Sequence, residues 1–320
     1  MFFHRRRSES HFPEPCSHPA AGTDLSQGFA SVFVTAPDGL TLHVRRYGSG
    51  HACAHSSIVC LPGLARTAAD FHPLATALAA DPAKPRFVLA LDYRGHGQSQ
   101  YDRNPNNYTI RVALADLSAV LAALEITSAI FVGTSFGGVL AMMLAVLPPA
   151  AVAGVILNDI GPVMEPRGLM RIKSYVGKLP IARNFEEGAE ILRWLFEKQF
   201  TKLAPQDWIA FAQRTWREHR GRLVLDYDLK VARTLQAADL QHLPTLWSHF
   251  DALARVPLMV IRGARSDMLA STTLQAMLKR RSEIDIAVVA DQGHAPLLTE
   301  PKLMRRIADF VASCDVSAPL

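Results

Sequence analysis

The chain has 320 residues, 49% of them hydrophobic and 20% charged, with 34 Lys+Arg against 29 Asp+Glu. With 15 Phe and 4 Trp it can bury a large core, which excludes disordered and fibrous classes. Its four cysteines (Cys16, Cys53, Cys60, Cys314) show no paired or C-x-x-C spacing, which argues against a disulfide framework or zinc cluster and fits a reduced, cytoplasmic setting.

Residues 1–28 begin with Phe2 and Phe3 and the triplet Arg5-Arg6-Arg7, but polar, proline and acidic residues follow instead of an apolar run. This does not read as a secretory signal; a disordered tail is expected, with a mitochondrial-type presequence or a misassigned start codon as the alternatives. Phe29–Thr35 and Leu40–Tyr47 then alternate apolar with polar residues across the Pro37-Asp38-Gly39 turn, as an antiparallel pair does. Beyond them the pattern changes to short apolar strands: Ser57–Leu61, Phe87–Leu91, Ala129–Gly133, Gly154–Leu157, Pro257–Ile261 and Ile284–Val289. Near-continuous apolar runs of this length suit strands covered on both faces of a parallel sheet. Helices are expected between them near 70–80, 110–124, 136–147, 271–281 and 300–314. The alternation predicts an α/β fold, a mostly parallel open sheet with leading antiparallel strands.

The 33 residues from Ile126 to Asn158 carry no charge and are long enough to cross a bilayer. Gly133, Gly137, Gly138, Pro148 and Pro149 break them into strand, turn, buried helix and strand, so no membrane span is expected. Between Leu157 and Pro257 lie about a hundred residues with no convincing strand. They read as amphipathic helices, for example Glu186–Thr201 and Pro205–Arg217, too many for a simple crossover. An inserted helical cap is therefore expected at 163–252, dividing a core of 29–162 and 253–320. The cap segment holds all four tryptophans, and residues 163–250 carry 14 Lys/Arg and 10 Asp/Glu, four of the chain's five excess positive charges. These charges are interspersed, as on solvated helix faces, so no nucleic-acid partner is inferred.

The strongest local signal is Gly133-Thr134-Ser135-Phe136-Gly137-Gly138, set between an apolar strand and a helix. A G-x-S-x-G at a strand-to-helix turn is the setting of a nucleophile elbow, where a helix N-terminus faces developing negative charge. A serine nucleophile needs a base, and the base an orienting acid. The strand Pro257–Gly263 is followed by Asp267, and the last strand by Asp291-Gln292-Gly293-His294. The predicted triad is Ser135, Asp267 and His294. Of the other histidines, His96 and His72 read as loop residues. No H-x-x-H, cysteine cluster, G-x-G-x-x-G or Walker-type loop occurs, so no metal or organic cofactor is required.

These motifs, with Leu61-Pro62-Gly63-Leu64 and Asp92-Tyr93-Arg94-Gly95-His96-Gly97-Gln98-Ser99, resemble the α/β-hydrolase superfamily from about residue 29 to 315. The resemblance implies an oxyanion hole from the backbone N–H groups of Leu64 and Phe136. Relatives usually carry His-Gly where this chain has Pro62-Gly63. It also implies a rival acid, Asp159, because some relatives take the third triad member from the preceding strand end. Asp267 is preferred here, since Gly263-x-x-x-Asp267 after its strand is the commoner pattern, and Asp159 is expected to bond the turn leading into the cap. The Asp92–Ser99 stretch is expected to be structural. The implied function is a serine hydrolase acting on a small-molecule acyl substrate, an ester or lactone. Cleavage of a C–C bond beside a carbonyl and acyl transfer to an acceptor are the alternatives, and a non-enzymatic receptor would be expected to have lost a triad member.

Overall fold

The computed structural model describes residues 28–48, 55–146, 152–236, 239–240 and 242–316. The expected tail at 1–28 lies almost wholly outside the described residues, as do Cys16 and Cys53. Eight strands form one sheet: β1 (Ala30–Thr35), β2 (Thr41–Tyr47), β3 (Ser57–Leu61), β4 (Val88–Asp92), β5 (Ala129–Thr134), β6 (Val152–Asn158), β9 (Leu258–Gly263) and β10 (Asp285–Val289). Their order is β1-β2-β4-β3-β5-β6-β9-β10, with β1/β2 and β2/β4 antiparallel and every other pair parallel. The central strands are apolar throughout because both faces are covered. Ile58, Val59, Cys60 and Leu61 are fully buried, and two separate apolar clusters fill the two sides of the sheet.

The covering helices are α1 (His72–Ala79), α2 (Ile110–Ala123), α3 (Phe136–Leu144), α9 (Ser271–Arg280) and α10 (Pro301–Val316). Thr109 caps α2 by accepting the Val112 N–H. The close seat of α10 on β6 depends on Gly154, where a Cβ would stand 2.7 Å from Cys314 Sγ. Cys60 and Cys314 are free and buried. Among the described residues no helix is long and apolar enough to cross a membrane.

Between β6 and β9 runs the long segment without expected strands. It forms α4 (Pro166–Tyr175), α5 (Phe185–Phe196), α6 (Pro205–Gln213), α7 (Ala232–Gln236) and α8 (Trp247–Ala252). It also contains a two-stranded hairpin, β7 (Trp216–His219) with β8 (Arg222–Leu225), which corrects the all-helical expectation. Arg220 and Gly221 both take positive φ (50° and 71°), the backbone of a tight hairpin turn. Trp208 and Trp216 pack this segment's own core with Phe196, Phe200 and Phe211, whereas Trp194 lies in solvent.

Candidate active site

Ser135 joins β5 to α3 with φ 50° and ψ −111°, a conformation that L-residues avoid. Its N–H donates to Asn158 O at 3.0 Å, and its carbonyl accepts the N–H groups of Gly138 (2.9 Å) and Val139 (3.1 Å). The flanking glycines allow the turn to be this tight. A Cβ on Gly133 would stand 2.5 Å from the Gly137 carbonyl oxygen and the Gly138 nitrogen, and one on Gly137 would collide with Leu61 O.

His294 follows β10 and is 9% exposed. Its Nε2 lies 2.9 Å from Ser135 Oγ and its Nδ1 lies 2.8 Å from Asp159 Oδ2. Asp159 is wholly buried just beyond β6, and its φ is 56°. Its carboxylate also accepts the Gly263 N–H (2.8 Å) and the Ser266 hydroxyl (2.5 Å). A carboxylate receiving Nδ1–H leaves Nε2 as the acceptor for the serine proton.

This geometry corrects the preference for Asp267. Asp267 makes no hydrogen bond to His294. Its two oxygens instead receive Arg171 Nε (2.6 Å) and Nη2 (2.8 Å) from α4. Burial would raise its pKa, but the Arg171 guanidinium outweighs that and holds the carboxyl below its ordinary range. A Cβ on Gly168 of α4 would lie 2.6 Å from Asp267 O, so this loop is where the inserted segment docks on the core. The sheet register explains why Asp159 reaches His294. Thr134 is level with Asn158 in the β5/β6 pair, so the next residue of each strand, Ser135 and Asp159, emerges side by side.

Leu64 lies beyond β3 on the loop that lines the cavity, and Phe136 is the first residue of α3. Their N–H groups have no acceptor among the described residues. A Cβ on Gly63 would come within 3.7 Å of Ser135 Cβ, so the loop runs directly beside the serine. Two residues from the Asp92–Ser99 stretch hold it there. Tyr93 Oη donates to Pro62 O (3.1 Å), and His96 Nε2 accepts the Ala65 N–H (3.2 Å). His96 Nδ1 faces Arg94 O at 2.9 Å, which fixes the neutral tautomer with the proton on Nδ1. Burial lowers the His96 pKa and favours that neutral form. This loop-supporting role for His96 and Tyr93 was not foreseen. His72 does not line the cavity, and its Nδ1 pairs with Tyr47 Oη at 3.2 Å.

The rest of the stretch is structural. Asp92 accepts His43 Nδ1–H and the Ala68 N–H, each at 2.7 Å. Arg94 bonds Asp38, Asp102 and Asp116.

Above Ser135 and His294 opens a cavity whose walls are mostly apolar, including Ile172, Tyr175, Phe196, Phe200, Phe211 and Tyr227 from the inserted segment. No tryptophan lines it. The charged groups at its wall, besides His294, are Arg66, Asp70 and Arg214. No group of His, Cys, Asp and Glu able to hold a metal occurs among the described residues.

An elbow serine, a buried Asp–His pair and this strand order define the class. A sequence profile of the alpha/beta hydrolase family matches residues 58–307, and the chain belongs to that family. It is 32% identical over 253 residues to a 3-hydroxybutyrate-oligomer hydrolase of Cupriavidus necator, covering 76% of this chain and 84% of that protein. It is 25% identical over 277 residues to a 2-(acetamidomethylene)succinate hydrolase of Mesorhizobium japonicum, covering 85% and 92% of the two chains. Among solved structures, an alpha/beta hydrolase from Novosphingobium aromaticivorans aligns with a TM-score of 0.82 and 36% identity, over 89% of this chain and 98% of that one.

Proposed function

We propose that the protein hydrolyses a carboxylic ester through an acyl-enzyme on Ser135. The observation that carries this reading is the continuous hydrogen-bonded series Ser135 Oγ, His294 Nε2 and Nδ1, Asp159 Oδ2, which meets the floor of an apolar cavity. His294 takes the serine proton as Oγ attacks the acyl carbon, and Asp159 holds the ring's tautomer and balances the imidazolium. The N–H groups of Leu64 and Phe136 receive the oxyanion, each donor lowering the barrier by about 3 kcal/mol. His294 then gives its proton to the departing alcohol. A water, deprotonated by the same nitrogen, attacks the acyl-enzyme and releases the acid with Ser135 restored.

The relative from Cupriavidus necator supports this reading, because an oligomer of a hydroxy acid is joined by ester bonds. The test is a screen of p-nitrophenyl esters of graded chain length with the parent protein and with Ser135→Ala, alongside labelling by a fluorophosphonate probe. Hydrolysis and labelling that both vanish in Ser135→Ala are expected. Ester turnover that persists in that variant would overturn the proposal.

A further inference from the structure

The charges at the cavity wall do not balance. Arg66 spends its guanidinium within the protein: Nε and Nη2 donate to the two oxygens of Asp70 (2.7 and 2.5 Å), and Nη1 donates to Thr215 Oγ1 (2.7 Å). The group also lies over the Phe211 ring, 4.9 Å from its centroid. Asp70 is therefore engaged by Arg66 at both oxygens, in the bidentate form that satisfies a carboxylate best.

Arg214 follows α6 beside this pair, and its side chain is 14% exposed. Its nearest carboxylate oxygen is Asp70 Oδ1, 3.6 Å from Nε, beyond a normal hydrogen bond. The Arg214 side chain donates to no acceptor among the described residues, although it lines the cavity that holds Ser135 and His294. Burial lowers its pKa, with Asp70 opposing and Arg66 reinforcing the shift. A guanidinium nonetheless stays charged at any working pH. One cavity thus holds two fixed positive charges and one negative, and the unmatched positive charge sits on the group without acceptors.

A largely buried guanidinium whose donors lack a protein acceptor favours an anion that enters the cavity beside it. Asp70, already held at both oxygens by Arg66, comes no nearer to Arg214 than 3.6 Å, and the remaining walls are mostly apolar. We propose that Arg214 is an anion subsite that binds a free carboxylate of the substrate, so that the substrate class is a short ester bearing a carboxylate away from the scissile bond. A linear dimer of a hydroxy acid is the simplest example. This assignment rests on the ester-hydrolysis reading above.

The experiment compares the linear 3-hydroxybutyrate dimer as the free acid with the same dimer capped as a primary amide, following release of monomer by chromatography. The parent protein is expected to favour the acid in kcat/KM by ~10-fold or more, the range for a hydrogen bond to a charged group. Arg214→Gln is expected to reduce that acid-to-amide ratio at least about tenfold, through KM, and Arg214→Lys to restore part of it. Binding of both dimers to Ser135→Ala and to Ser135→Ala/Arg214→Gln, measured by calorimetry, tests the subsite without turnover.

A parent ratio near one, or a ratio that Arg214→Gln leaves intact, overturns the subsite even if both dimers are cleaved. Absence of any Ser135-dependent ester cleavage overturns the ester reading instead. The calorimetric preference for the acid then still decides whether Arg214 binds carboxylates.

Discussion

Ser135 is held at φ 50° by the chain on both sides of it, and that backbone is the means by which its hydroxyl meets His294. The strain is of the order of 1–3 kcal/mol. Ser135→Gly and Ser135→Ala should both abolish turnover, yet the glycine variant should be the more stable by about 1 kcal/mol, as read by urea unfolding. The same reasoning separates the two candidate acids. Asp159→Asn leaves the shape but removes the acceptor of Nδ1–H, and kcat should fall by about 10³–10⁴. Asp267→Asn should keep kcat within about tenfold of the parent, because Arg171, not His294, holds that carboxylate. An inactive Asp267→Asn protein of normal stability would reverse the assignment. The spacing after Gly263 pointed to Asp267 because sequence shows a carboxylate at a strand end but not its neighbour. Ser266, one residue earlier, turns instead to Asp159. Which strand lies beside β5 decides the matter, and that is a property of the sheet.

At the scale of single elements, the loop from Pro62 to Ala65 depends on the loop from Tyr93 to His96. His96 accepts the Ala65 N–H only while its Nε2 is unprotonated. His96→Phe should lower kcat about 10- to 100-fold with a smaller change in KM, because the Leu64 amide loses its fixed position. Ala65 N–H would also lose its buried acceptor, at a cost of about 1–3 kcal/mol in stability. The pH dependence follows from the lowered pKa values of His96 and half-buried His72, both caused chiefly by burial. Above the ordinary histidine value of 6.5 both folded and unfolded chains are neutral there, and stability is complete. As the pH falls below that value the unfolded chain takes up protons that the folded one refuses, so stability should decline. Melting temperatures should therefore drop between pH 7.5 and 5.5, and His96→Gln should flatten the slope. A melting temperature that rises on acidification would contradict this. The core strands were legible to within a residue or two because both sheet faces are apolar. The hairpin β7–β8 was not, since Trp216 and Arg217 continue the amphipathic pattern of Pro205–Arg217 and each strand is only four residues long.

Across the whole molecule, the inserted segment is fastened at several points that lie far apart in sequence. Arg171 grips Asp267, Arg66 reaches Thr215, and Gly97 N–H donates to Asp226 O. Asp267→Asn should therefore cost stability, about 1–3 kcal/mol by urea unfolding, since Arg171 would keep its buried charge with a weaker partner. A double-mutant cycle with Arg171→Met should show that the two losses are not additive. In the sequence this segment is an interval too long for a crossover that holds all four tryptophans. How it attaches lay beyond reach, because each fastening joins residues whose spacing in the chain carries no pattern.

One fastening has a further consequence. Gln199, just beyond α5, accepts the His294 N–H at 2.9 Å, and a Cβ on Gly293 would strike the same Gln199 side chain. His294 is therefore tethered to the inserted segment as well as to Asp159. A displacement of Gln199 would therefore pull on the loop that presents the imidazole to Ser135. On the proposed mechanism, a bulky acyl chain that pushed this part of the inserted segment outward would also loosen the hold on the ring meant to activate Ser135.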